Sequence, residues 1–155
     1  MIVDNAAMKI KFIRRPAPVF VEHRPIYKIG QIMLILYISS RGYKSSLTRL
    51  HLFNWVLKEE KRKENLINSL KGGYLKISAW GFDPALTIAI RFAIAEKLLF
   101  EESTGYKLSE LGIQFSKEIM SDSLLFTQEK EFLLSIKKAL TEVMVESVAK
   151  SWKSL

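Results

Sequence analysis

Apolar side chains recur at helical spacing in three stretches of the chain. Between residues 26 and 39 they cover almost the whole circumference of a helix, a pattern typical of a helix buried on several sides. Segment 46–59 carries an apolar stripe, and Ser46 is placed to cap it. Asp83, followed directly by a proline, is a typical helix start and predicts a third apolar helix over 84–98.

Other stretches alternate or turn back on themselves. Residues 9–13, KIKFI, and residues 74–80, YLKISAW, alternate apolar and polar positions and predict short strands. Residues 98–112, LLFEESTGYKLSELG, enter and leave a Ser-Thr-Gly turn, which predicts a β-hairpin. Ser109 is then placed to cap a helix over 110–121.

The order of these elements is helix, helix, short strand, helix and β-hairpin. It predicts a mostly α protein with a small β component: a winged-helix domain, which is a helix-turn-helix variant, with a C-terminal helical extension. We expect an N-terminal strand and proline-containing arm over 1–24, the winged-helix domain over 25–122, and a C-terminal part over 123–155. Within that last part, a single helix is predicted from Thr127 to about Trp152.

Composition narrows the class of protein. The chain has 155 residues, of which 48% are hydrophobic and 26% are charged, as in a globular protein with a real core. It has no cysteine, and its start lacks the basic lead and apolar block of a signal peptide. The longest uncharged run, 29–40, has 12 residues, whereas a membrane-spanning helix needs about 20. We therefore expect a cytoplasmic protein.

The net charge of +8 is concentrated in the first half of the chain. Such a basic surface can attract phosphates, as in DNA, or an acidic protein partner. The candidate contacts are Arg41, Lys44, Lys58, Lys61, Arg62 and Lys63. Because glutamates are interleaved with the last four of these, a solvated helix face is the alternative explanation for that run.

The predicted helix before the hairpin lacks the side chains that read DNA. Base edges are contacted by Arg, Lys, Asn or Gln, and the interior of helix 84–98 offers only Arg91, with Thr87 as a weak candidate. The hairpin tip carries Glu101 and Glu102, whose charge is wrong for phosphates. The sequence therefore favours protein contact over DNA reading.

Enzymatic patterns are weak. The chain has two histidines, and His51 is more often a core residue than a catalyst or metal ligand in such a setting. The carboxylate pairs at 59–60 and 101–102 are adjacent in sequence, so their side chains diverge. No phosphate-binding loop is present. We expect no catalytic residue, no bound metal and no cofactor.

The tryptophans are candidate anchors for a protein partner, because this residue is enriched in binding hot spots. We interpret Trp55 as a core residue, and Trp80 as either core or interface. Trp152 is the best candidate for an exposed anchor. The candidate partner contacts are thus Trp80, Arg91 and Trp152.

Four segments carry a family resemblance: RPIYKIGQIMLILYIS, SLTRLHLFNWVL, FDPALTIAIRFAIAEKLL and GYKLSELG. Over about residues 24–120 the chain resembles the middle component of bacterial ABC-three-component systems, and it is similar to the small subunit of Lamassu-type anti-phage complexes. The resemblance implies an accessory subunit of a hetero-oligomer that binds an SMC-like ABC ATPase and helps to hold an effector, often a nuclease. It brings no catalytic residues, and it does not include the N-terminal arm.

The leading interpretation is therefore a non-catalytic adaptor in an antiviral defence complex, with weak, non-specific DNA contact through the complex and no membrane contact. The alternative is a winged-helix transcription regulator. Because three predicted helices, 26–39, 46–59 and 84–98, are apolar on more than one face, we expect an uncovered apolar patch that a partner buries.

Overall fold

The computed structural model describes residues 24–152, and the predicted strand 9–13 and the proline-containing arm lie outside the described residues. The elements, in order, are α1 (Pro25–Ser39), β1 (Lys44–Ser45), α2 (Leu47–Leu57), α3 (Glu60–Lys71), α4 (Pro84–Ala95), β2 (Leu99–Glu102), β3 (Gly105–Leu108), α5 (Glu110–Ser121), α6 (Thr127–Ile136) and α7 (Glu142–Trp152). The fold class is mostly α with a small β component, as predicted. Within this part of the chain, no helix combines the length and apolarity needed to cross a bilayer.

Local sequence signals define where several helices begin. Ser46, Asp83 and Ser109 each accept a hydrogen bond from a backbone amide in the first turn of α2, α4 and α5, respectively. Each of these bonds satisfies an amide that has no partner within its helix. The three caps predicted from the sequence are confirmed.

Helix α1 forms the centre of the core. It packs against α4, α5 and α6, and its apolar side chains from Ile29 to Leu36 are almost completely buried. Helix α2 packs against α3 and α7. The apolar faces of α1 and α2 are therefore largely covered within the described chain, so most of the apolar patch expected from these two helices does not exist.

The sheet is antiparallel, in the order β1-β3-β2. The predicted hairpin is confirmed: Glu102 pairs with Gly105 across the turn. The third strand comes from β1, in which Lys44 lies opposite Lys107 of β3.

The strand predicted over 74–80 is wrong, because this segment has no regular structure. Leu75 and Trp80 do point into the core. However, the backbone bonds to helix side chains rather than to a strand: the Lys76 amide donates to the Ser69 hydroxyl at 2.6 Å, and the Ser78 carbonyl accepts from the Trp152 indole at 2.8 Å.

The single C-terminal helix predicted over 127–152 is also wrong. The chain leaves α6 at Lys137, whose φ is 48° and ψ −122°, and starts α7 after a short link. In that link the Leu140 side chain is fully buried. Its carbonyl accepts a hydrogen bond from Arg49 Nε at 3.0 Å. In a continuous helix, this carbonyl would instead accept from the backbone amide four residues later.

Candidate functional site

The outward side of α4 carries large apolar side chains that are exposed. Its residues Ile88, Arg91, Phe92 and Ala95, which we call the α4 face, follow helical spacing and are all exposed. Ile88 is 50% exposed and Phe92 is 43% exposed. An apolar surface with one cation on a well-formed helix is typical of a protein contact.

Arg91 lies beside the hairpin. Burial and the nearby Glu101 carboxylate raise the pKa of Tyr106 on β3, and the positive charge of Arg91 opposes them. Within residues 24–152, no ion pair holds Arg91. Its guanidinium is therefore available to a partner.

Exposed aromatic side chains flank the α4 face in sequence. Phe82 precedes α4 and Phe100 lies on β2, and both are more than half exposed. At the C-terminal end of α4 there is also an open groove of about 640 Å³, which is lined by Ile94, Lys97, Leu99, Phe100, Glu101, Ser109, Glu110 and Leu111. Among residues 24–152, β2 is an edge strand, with β3 as its single strand neighbour.

All four cations of the basic run at 58–63 form ion pairs. Its four cations pair as Lys58–Asp83 at 2.9 Å, Lys61–Glu64 at 4.0 Å, Arg62–Glu59 at 2.8 Å and Lys63–Glu60 at 3.4 Å. Arg62 also lies over the Trp55 ring, with its guanidinium carbon 4.1 Å from the ring centroid. This arrangement favours the interpretation of a solvated helix face over that of a phosphate site.

Arg41 and Lys44 lie apart from that run. Both line a pocket on the other side of α2, together with Arg49 and Lys138. Lys44 also forms an ion pair with Glu102 of the hairpin at 2.8 Å. The six candidate cations therefore divide into two groups. Lys58 and Arg62 border a second pocket, in which both are ion-paired, whereas Arg41 and Lys44 border a pocket with four cations.

The tryptophan candidates pack together. Trp80 is 7% exposed, and its indole nitrogen donates to the Thr48 carbonyl at 3.2 Å. The ring of Trp152 meets Trp80 edge-on, with ring centroids 4.7 Å apart. The two rings thus hold α7 against the segment before α4, and Trp152 is packed against the protein rather than standing free as an anchor.

His51 belongs to a buried polar network at the start of α4. It is 2% exposed, its Nδ1 accepts from the Asp83 amide at 3.2 Å, and its ring stacks on Phe82. Burial acts to raise the pKa of Asp83. Hydrogen bonds from Lys58, the Ala85 amide and Asn54 outweigh it and hold that pKa at about 2. Across residues 24–152, no three His, Asp or Glu side chains form a group that could hold a metal ion.

Sequence reasoning missed Arg49 and Lys138, which line the pocket beside Arg41 and Lys44. Arg49 stands inside an apolar stripe, and Lys138 falls within what reads as a continuous helix. No local signal joins these residues to Arg41, because only the packing of α2 against the α6–α7 link brings them together.

Comparisons of the chain with protein-family models, curated proteins and solved structures find no match.

Proposed function

We propose that this chain is a non-catalytic accessory subunit of a bacterial anti-phage defence complex. In this role it binds an SMC-like ABC ATPase and helps to hold an effector such as a nuclease. The observation that carries the proposal is the α4 face, where Ile88 and Phe92 remain about half exposed beside a cation that has no ion pair within the described chain. Partner identity in this proposal comes from the sequence resemblance.

We propose also that the domain is a winged helix. Helices α1, α2 and α4, together with strands β1, β2 and β3, follow the chain order of that fold, with α3 inserted before α4. In DNA-binding members the helix at the position of α4 enters the major groove. The hairpin beside it is the wing.

The transcription-regulator alternative rests on this element order alone. A helix that reads bases needs several polar side chains on its outward side, and the α4 face offers only Arg91. On the wing, Glu101 and Glu102 would oppose phosphates. The chemistry of this surface therefore supports contact with a protein.

Co-expression tests the proposal. The tagged full chain is expressed together with the products of the genes beside its own in the source genome. We expect a large coiled-coil ATPase to co-purify with it in a fixed ratio. Ile88→Glu should abolish this association, whereas Leu134→Glu should not, because Leu134 is similarly exposed at 46% but lies on α6.

Two outcomes contradict the proposal. One is the absence of any co-purifying ATPase. The other is tight, sequence-specific binding of promoter DNA that is lost in Arg91→Ala, which supports the regulator instead.

A further inference from the structure

A pocket of about 210 Å³ lies where the end of α1, strand β1, helix α2 and the start of α7 meet. We call it the basic pocket. It is lined by Ser39, Arg41, Lys44, Arg49, Lys138, Leu140, Thr141, Glu142 and Val143. Four of these residues are cations and one is an acid. Three of the cations come from segment 41–49, and Lys138 comes from the link between α6 and α7.

Arg49 forms the floor of the pocket. It is 3% exposed, and its guanidinium donates to the carbonyl oxygens of Ser39 and Leu140 and to the Ser40 hydroxyl. All three acceptors are neutral, so they fix the side chain without cancelling its charge. Burial lowers the pKa of Arg49 to about 10, and the Glu142 charge opposes this change. The guanidinium is therefore charged at neutral pH.

The single acid of the pocket, Glu142, is held by neutral donors, so it keeps its charge and offsets one of the four cations. The carboxylate of Glu142 accepts from the Ser46 amide at 2.8 Å and from the Ser46 hydroxyl at 2.7 Å, and so caps α2 from outside. The pocket also borders the first turn of α7, where Thr141 accepts from the Met144 amide. A helix start carries partial positive charge, which adds to the potential of the cations.

The rim of the pocket continues onto the sheet. Lys44 lies opposite Lys107 in the β1–β3 pairing, and like charges in that arrangement repel each other. Glu102 partly relieves this repulsion through its ion pair with Lys44. Arg41 and Lys138 are exposed, and no ion pair holds either of them within residues 24–152.

We propose that the basic pocket binds backbone phosphates of a nucleic acid. A guanidinium, ammonium groups and a helix start suit a phosphate group. Such contacts carry no sequence information. This function goes beyond ATPase binding and uses a surface distinct from the α4 face.

Fluorescence anisotropy with a labelled duplex of arbitrary sequence tests the site. The full chain is compared with the double variant Arg41→Gln/Lys138→Gln. The control is Lys117→Gln/Lys150→Gln, which removes equal charge from α5 and α7 at two exposed lysines. We expect the pocket variant to weaken binding at least about fivefold at low salt. For the pocket variant, the slope of log affinity against log salt concentration should decrease in magnitude by roughly 1 to 2. The affinity and the slope of the control variant should stay close to those of wild type.

Three results would overturn the site. They are equal losses in both double variants, no duplex binding at low salt, and displacement of the duplex by polyglutamate at equal charge concentration. The last of these would identify an acidic protein as the ligand. Co-purification of the ATPase with the pocket variant is measured in parallel, so that failure of this site is distinguished from failure of the proposed function.

Discussion

Arg49 Nε on α2 donates a hydrogen bond to the Leu140 carbonyl, at 3.0 Å, in the link between α6 and α7. The same guanidinium bonds to the end of α1 through Ser39 and Ser40. One buried side chain thus joins the end of α1 and helix α2 to a link about 90 residues further along the chain. It holds the C-terminal helices on the domain and at the same time forms the floor of the basic pocket.

Replacing Arg49 should therefore be costly. Arg49→Met leaves three acceptors without their donor, and we expect the free energy of unfolding to fall by about 3 kcal/mol. Arg49→Lys should recover only part of this loss, because an ammonium cannot match the planar fork. Urea denaturation of the full chain measures both. Arg41→Met, at an exposed position, is the control and should stay within about 0.5 kcal/mol of wild type; a similarly small change in Arg49→Met would contradict the prediction.

Trp152 should contribute to stability through its contact with Trp80. Trp152→Ala removes the edge-on ring contact and the hydrogen bond to the Ser78 carbonyl, and we expect a loss of about 2 kcal/mol. Trp152→Phe keeps a ring and should lose about half as much. Val143→Ala, at a side chain that is 72% exposed, is the matched control on α7. Equal melting temperatures for Trp152→Ala and Val143→Ala would show that the ring pair does not stabilise α7.

Asp83 gives the fold a specific acid sensitivity. Folding lowers its pKa from an ordinary value of 3.8 to about 2. Its carboxylate therefore stabilises the fold fully above pH 3.8, and this contribution is lost as the pH falls towards 2. Because solvent screens the partly exposed Lys58–Asp83 pair, the contribution of the lowered pKa is about 1 kcal/mol. Asp83→Asn keeps a capping side chain but removes the titration.

The difference in stability between wild type and Asp83→Asn should therefore shrink as the pH falls from 4 to 2. Unfolding free energies measured by denaturant titration at several pH values check this. If the difference in unfolding free energy stays constant over this range, the negative charge of Asp83 does not cause its stabilising effect.

Gly105 is required where the hairpin meets β1. A Cβ atom at this position would overlap the backbone carbonyl of Ser45. Gly105→Ala should therefore separate β1 from β3 and destabilise the protein by about 2 kcal/mol. Gly81→Ala is the control, because its Cβ would meet only a Trp55 side-chain atom at 3.6 Å. Hydrogen exchange at the β3 amides reports the separation directly, and unchanged protection there in Gly105→Ala would contradict it.

Locally encoded features could be predicted from the sequence. The caps at Ser46, Asp83 and Ser109 act within one helical turn, and the hairpin closes over a few residues. The third strand and the break between α6 and α7 could not be predicted in this way. They depend on Lys44 meeting Lys107 and on Arg49 meeting Leu140, across distant parts of the chain.

The candidate site also combines features encoded locally in the sequence with features that depend on tertiary packing. The apolar character of α4 is visible in its own residues, and the structure adds which of them face outward. The ion pairs of the 58–63 run involve neighbours in sequence, apart from the pair between Lys58 and Asp83. In the basic pocket, by contrast, Lys138 and Glu142 join the 41–49 segment only through tertiary packing.

Stable association with a larger protein is the central claim, and size-exclusion chromatography with light scattering measures it most directly. The purified chain is mixed with the proposed partner, an SMC-like ATPase encoded by a neighbouring gene if the proposal is right. We predict that the 17.9 kDa chain moves into a complex with the ATPase, and that Ile88→Glu, but not Leu134→Glu, leaves it behind as free subunit. A clean 17.9 kDa monomer that elutes unchanged in the presence of the neighbouring gene products would contradict the account.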